Sequence, residues 1–422
     1  MGQLNLEQLS PQRVAEDVAR HSYGKLVAFL SARTRDVAGA EDALSEAFAA
    51  ALDEWPVSGV PRTPEAWLLT VARRKLIDAG RRRHTADAAG DTIVLLTDDL
   101  FPAPDEEMQI PDERLRLMFA CAHPAIEASV RAPLMLQTVL GFDAATIGSA
   151  FLVPPATMGQ RLVRAKSRIR ATGIPFSVPG QDELAERLQA VLESIYTIYT
   201  EGWSDPAGTQ ERSRGLAQEA IWLGRLVCSL LPGEAEAFGL LALMLHAESR
   251  RVARRDEQGE FVPLAEQDPV RWDAAMMTEA EAVLQHAASM AMPGRFQYEA
   301  AVQSVHAARR YSGETDWASI LLLYDALLAC TGSIVVAINR AVALSNLEGA
   351  PAGLAALDAL EGDGRLAEYQ PYWAARAELY TRAGQREAAR HAYERAIGLE
   401  SDPVLRRYLQ RRAMPHATNN SP

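Results

Sequence analysis

At 422 residues, with 48% hydrophobic and 23% charged side chains, the chain has the composition of a folded protein too long for one ordinary core, and its length favours two or three domains. Its net charge of −12 opposes polyanion binding by the molecule as a whole, so any nucleic-acid site has to be local. Cys121, Cys228 and Cys330 stand about a hundred residues apart with no Cys-x-x-Cys pair, which excludes a disulfide framework and a thiolate zinc site.

Charge divides unevenly along the chain. Residues 1–180 hold 20 Lys and Arg against 22 Asp and Glu, and residues 181–422 hold 23 against 33. The basic residues of the first part concentrate in Arg73–Arg83 and Arg161–Arg170, and no acid occurs between Asp143 and Asp182. The start of the chain lacks a basic segment followed by an apolar run, and no apolar stretch reaches the roughly 18 residues that span a bilayer. The expectations are a cytoplasmic location, buried thiols and no membrane partner.

Ala, Leu, Glu and Arg dominate throughout, with few period-2 alternations, so the fold expected is all-α. A first helical block covers about Pro11–Arg83 and is broken at Asp36-Val-Ala-Gly39 and across Trp55–Pro64. Thr63-Pro64-Glu65 predicts a helix start, with Thr63 as N-cap and Pro64 in the first turn. The following helix, Trp67–Arg83, carries an apolar stripe of Leu68, Val71, Ala72 and Leu76 beside Arg73, Arg74, Lys75, Arg81 and Arg82. With Trp55, Arg62 and Trp67 around the proline-rich loop, it combines aromatic surfaces and a basic track, which suits an unstacked base of single-stranded DNA. The alternative is that Trp55 and Trp67 are core anchors, and for Trp67, amid an apolar face, that alternative is preferred.

Residues 85–110 lose helical periodicity and gather Asp98, Asp99, Asp105, Glu106 and Glu107 among prolines, as an acidic linker does. A second helical block opens at Pro111-Asp-Glu-Arg114. From Leu140 the order is Gly141-Phe142, a short helix Asp143–Phe151, the turn Leu152-Val-Pro-Pro155 and a basic helix, which is a helix–turn–helix pattern. Leu162, Ala165 and Ile169 form the buried stripe at spacings of three and four. Thr157, Gln160, Arg161 and Arg164 on the early turns face base edges and phosphates, and Lys166, Arg168 and Arg170 follow toward phosphate or solvent. The alternative is a solvated basic face on a structural helix.

The segments Asp36–Phe48, Pro64–Arg74, Ile77-Asp78 and Arg81–Arg83 resemble region 2 of bacterial extracytoplasmic-function (ECF) sigma factors, and Gly141–Arg170 resembles their region 4. Pro155-Ala-Thr-Met-Gly-Gln-Arg161 departs from the family's common Glu-Gly-Thr-Val-Lys-Ser-Arg, which leaves the base preference open. Phe151-Leu-Val-Pro, Gln160–Lys166 and Gly173-Ile-Pro-Phe176 resemble the subgroup with a long tetratricopeptide-like extension. The resemblance implies no catalytic activity, no cofactor and no metal. It implies a region 2 bundle at 1–84, the linker at 85–110, a region 4 domain at 111–172 and a helical extension at 181–415. Glu41, Asp42, Glu46 and Phe48 would meet core RNA polymerase. Trp55, Arg62, Trp67, Arg73, Arg74, Lys75, Arg81 and Arg82 would serve the promoter −10 element, and Thr157, Gln160, Arg161, Arg164 and Lys166 the −35 element.

After the Gly173–Gly180 bridge, helical sequence continues nearly to the end. Trp373, Ala377, Tyr380, Gly384, Ala389, Tyr393 and Ala396 sit at the packing offsets of a tetratricopeptide helix pair, and such a pair needs stacked neighbours. His246, Glu248, Arg250, Arg251 and Arg254 face Glu266, Asp268 and Arg271 as a polar network, read as structural in preference to catalytic; lone His246 has no second metal ligand. The extension, acidic and tethered, is expected to contact the sigma module within the same chain and to regulate or support it. The alternative is a ligand-sensing or enzymatic extension with a DNA-binding output half.

Overall fold

The computed structural model describes residues 10–86, 110–151, 153–203 and 211–414, and among them no β-strand occurs. The chain separates into two compact units, Met1–Gly202 and Trp203–Pro422.

In the first unit α1 (Pro11–Thr34) begins at Ser10, whose hydroxyl accepts from the Arg13 amide, with proline in the first turn. It ends at Arg35 in the left-handed region, and Asp36 at once caps α2 (Val37–Ser58) by accepting from the Gly39 amide at 3.0 Å. The predicted start at Pro64 opens α3 (Pro64–Ala86). These three helices pack on one another, and α1 also packs on α4 (Arg114–Cys121) and α5 (Ala128–Leu140). The α1–α5 crossing is close enough that a Cβ at Gly24 would lie 1.8 Å from the Val139 carbonyl oxygen, so only glycine fits there. The helix–turn–helix follows as α6 (Ala144–Ala150) and α7 (Pro155–Ala171).

In the Pro/Gly-rich stretch after α7, Ile174 and Phe176 are 2% and 8% exposed, and the first compact unit runs through α8 (Gln181–Trp203) to Gly202. Arg187 on α8 donates to the Phe119 carbonyl of α4 at 3.0 Å. Prolines and glycines here shape a packed strap, which composition alone cannot distinguish from a linker.

The second unit is a run of helices: α9 (Glu211–Leu230), α10 (Ala235–Glu248), α11 (Ala274–Ser289), α12 (Arg295–Ser312), α13 (Trp317–Thr331), α14 (Ile334–Glu348), α15 (Ala350–Asp358), α16 (Gln370–Arg382), α17 (Arg386–Leu399) and α18 (Pro403–Ala413). From α12 onward each packs on the next, the quasi-one-dimensional arrangement of a helical array. The α16–α17 pair buries Ala377, Ala389, Tyr393 and Ala396 at the offsets read from sequence, with Gly384 at φ +74° in its turn. The polar network resolves into structural contacts: Glu248 pairs with Arg251 at 2.7 Å, and Arg271 donates to the carbonyls of Val252 and Arg255. Cys121 and Cys228 are buried as expected, whereas Cys330 is exposed on α13.

Candidate nucleic-acid interface

The turn between α6 and α7 is built by close backbone approach. Asp143 caps α6 by accepting from the Thr146 amide at 2.7 Å, and the Val153 amide donates to the Gly148 carbonyl at 2.8 Å. A Cβ at Gly148 would meet the Val153 carbonyl oxygen at 2.6 Å, so the position is held to glycine. Pro155 starts α7, where its missing N–H costs nothing. Met158, Leu162, Ala165 and Ile169 are buried on its inner face together with Ile147 of α6. That packing turns Gln160 and Arg164 to solvent and leaves Thr157 and Arg161 half-buried at the edge of the outer face.

Farther along, the basic helix meets acid from its own unit. Lys166 Nζ lies 2.6 Å from Glu41 Oε2 of α2, each side chain only 11% exposed. Arg170 Nη1 reaches Asp36 Oδ2 at 3.2 Å while the other Asp36 oxygen caps α2. Burial raises the Glu41 pKa, the Lys166 ammonium opposes that rise, and neighbouring Asp42 adds to it. A cleft of about 420 Å³ adjoins these contacts, lined by Asp36, Asp42, Glu46, Lys75 and Arg170 among others.

On α2 and α3 the residues expected to meet polymerase and single-stranded DNA also pair with each other: Lys75 Nζ stands 2.8 Å from Glu46 Oε2. Asp42, Arg62 and Arg74 are exposed, and Phe48, Trp67 and Arg73 half-buried. Trp55 is 1% exposed and meets Trp67 edge to face, with ring centroids 5.5 Å apart. The core-anchor reading therefore describes Trp55 as the structure places it, and no face of its indole is open for a base to stack on. The side chains of Arg81 and Arg82 lie outside the described residues.

Comparison with known proteins places this geometry. The sigma-70 region 2 family matches residues 18–85, which span most of α1, all of α2 and all but the last residue of α3. A protein described as a probable RNA polymerase sigma factor, RfaY of Xanthomonas campestris, is 26% identical over 217 residues, covering 49% of this chain and 51% of that protein. The chain thus carries a sigma-70 region 2 domain, and about half of its length is similar to a probable RNA polymerase sigma factor. Sigma factors are initiation factors without enzymatic activity that bind core RNA polymerase and promoter DNA. An uncharacterized protein of Rhizobium meliloti is 41% identical over 375 residues, covering 88% of both chains. A family of unknown function (DUF6596) matches residues 187–288 of this chain. No solved structure matches it.

Among the described residues, no three or more His, Cys, Asp or Glu side chains converge to hold a metal ion, and no described helix is long and apolar enough to cross a membrane. Sequence reading brought out the basic residues of α7 but missed Asp36 as a partner for them. Its N-capping role was the visible signal, and nothing in the local pattern marks an arginine 134 residues away.

Proposed function

We propose that this protein is a sigma factor of the ECF type, directing core polymerase to promoters through α2, reading the −10 element with α3 and its preceding loop, and reading the −35 element with α7. The reading rests on one combined observation: the sigma-70 region 2 match ends at α3, and downstream stands a helix–turn–helix whose second helix turns Gln160 and Arg164 outward. Arg bidentate to guanine and Gln bidentate to adenine are the groove contacts these side chains make best. Trp67, Arg62, Arg73 and Arg74 supply the half-open aromatic and cationic surface for the melted strand.

On this reading the carboxylate of Glu41, assigned to polymerase docking, and the ammonium of Lys166, assigned to DNA, neutralise each other in the free protein, and engaging both partners separates them. The helical second unit regulates or supports the promoter-binding unit, and the protein acts in the cytoplasm. Run-off transcription on a promoter library with purified core polymerase tests the reading: discrete starts that depend on added protein are expected, and transcripts identical to those of core polymerase alone refute it. Truncation after Gly202, at the end of the first compact unit, separates the roles, because a supporting unit lowers output when removed and a restraining one raises it.

A further inference from the structure

The helical array of the second unit closes on itself. Between α10 and α11 the chain forms a belt that turns at Gly259 and couples Arg255 to Phe261 through an isolated antiparallel bridge. Arg407 and Arg411 of α18, the last helix, pair with Glu260 on this belt at 3.1 and 3.2 Å, and Tyr408 meets Phe261 edge to face at 5.3 Å. From the other side Arg309 of α12 donates to the belt carbonyls of Leu264, Ala265 and Gln267 at 2.9–3.0 Å. On the inner surface of the array, between the belt, the central helices and α18, lies a half-open cavity of about 430 Å³. That volume falls within the range of small-molecule sites, and its mostly apolar wall with a few converging polar groups fits the same class.

Three properties of the wall define what it would hold. Trp317 and Tyr408 present aromatic surface, and Leu264, Val342 and Leu409 fill the space between with apolar groups. The ionised lining side chains are Arg309, Arg382 and Arg412 against Glu266 and Glu378, a surplus of one positive charge in the acidic part of the chain. His306 contacts the Trp317 ring edge to face at 5.6 Å and makes no side-chain hydrogen bond among the described residues. Burial and the charges of Arg250 and Arg309 lower its pKa to about 4, so near neutral pH the imidazole offers one donor and one acceptor, both unspent. The side chain is half-buried at the cavity wall, where an occupant can meet either nitrogen.

The geometry points to a binding site for a small planar aromatic molecule bearing one negative charge, held with its rings against Trp317 and Tyr408, its anion toward the arginines and a hydrogen bond to His306. The inference stands apart from the promoter reading, since every wall belongs to the second unit. Because the wall is shared by the belt, the central helices and α18, an occupant touches the belt and α18 together and its binding favours the closed ring.

The probe is 8-anilinonaphthalene-1-sulfonate, an aromatic monoanion with a planar naphthalene ring, titrated into the full-length protein and followed by fluorescence, with neutral N-phenyl-1-naphthylamine as its uncharged counterpart. One saturable site per chain is expected, at least tenfold weaker for the neutral analogue, with 1-naphthoate displacing the dye and naphthalene failing to do so. Val342→Trp and Ala374→Phe fill the cavity from two different helices, and each is expected to weaken dye binding at least tenfold while the melting temperature stays near that of the parent. Whichever variant keeps that melting temperature decides the location, and the naphthoate competition decides the ligand class without any variant. Unsaturable binding, equal affinity for charged and neutral dyes, or undiminished binding in a well-folded filled variant overturns the proposal.

Discussion

Replacing Lys166 with methionine removes one half of a pair whose two side chains are each 11% exposed and leaves Glu41 beside Asp42, with its second oxygen, Oε1, already lacking a hydrogen-bond partner. Breaking a buried pair by removing one partner typically costs about 3–5 kcal/mol, because the remaining charge is uncompensated. Here the loss has a ceiling, since the carboxyl can take up a proton instead. Protonating a glutamate of ordinary pKa about 4.3 at pH 7 costs about 2.7 pH units at ~1.4 kcal/mol each, or about 3.7 kcal/mol. The expected loss for Lys166→Met at pH 7 is therefore about 2–4 kcal/mol, well above the ~0–1 kcal/mol of an exposed pair. The sign of its pH dependence follows from the same account. Loss of the ammonium raises the folded-state pKa of Glu41 further, so between the unfolded and folded values the native state binds the extra proton and stability increases as pH falls. Urea unfolding of Lys166→Met at pH 7 and pH 5 measures both quantities. The variant should regain part of its deficit relative to the parent at the lower pH, and the double variant Glu41→Gln with Lys166→Met should recover most of it at pH 7. A deficit below about 1 kcal/mol, or one that does not change with pH, refutes the buried-pair account.

Three further outcomes are expected. Gly148→Ala forces a Cβ against the Val153 carbonyl 2.6 Å away, so the helix–turn–helix should lose about 1–3 kcal/mol and promoter binding should fall, read by unfolding and gel shift in parallel. Arg161→Ala with Arg164→Ala should weaken promoter affinity by about 1–3 kcal/mol per lost base-edge contact and flatten its salt dependence; unchanged salt slopes would assign groove binding to another face. His246 and His306 are both driven to about 4, chiefly by burial with added repulsion from Arg250, so the unfolded chain takes up protons first as pH drops. Stability of the second unit should be full above about 6.5 and decline toward pH 4, by up to about 3 kcal/mol for buried His246 and less for half-buried His306. Melting of Trp203–Pro422 signals in His246→Gln should show a shallower decline across that window.

Local geometry was legible from sequence wherever the signal is periodic or stereochemical. Pro64 and Pro155 open the helices they were read to open, and Leu162, Ala165 and Ile169 form the inner stripe that their spacing predicts, because a helix repeats every 3.6 residues whatever surrounds it. Partners across the fold were not legible. Lys166 finds Glu41 from 125 residues away, and no composition or spacing rule encodes which acid a basic helix will meet. Trp55 illustrates a different ambiguity: the residue type suits both a stacking platform and a core anchor, and only its 1% exposure decides between them in the free protein. Ile174 and Phe176 were overlooked because prolines and glycines around them suggested a linker, although two large apolar side chains in so short a stretch are a reason to expect packing. The belt was hidden for the same reason as the ion pairs, since Glu260 and Arg407 are 147 residues apart.

That clasp changes the way the second unit should respond to damage. In an open helical array each element depends only on its neighbours, so fraying begins at the free end and the rest can persist. With Glu260 paired to Arg407 and Arg411, the C-terminal end is not expendable in that way: loss of α18 unseats the belt, and loss of the belt frees α18. From the belt to α18 the unit is thereby turned from a stack that peels into a hoop that holds or springs together.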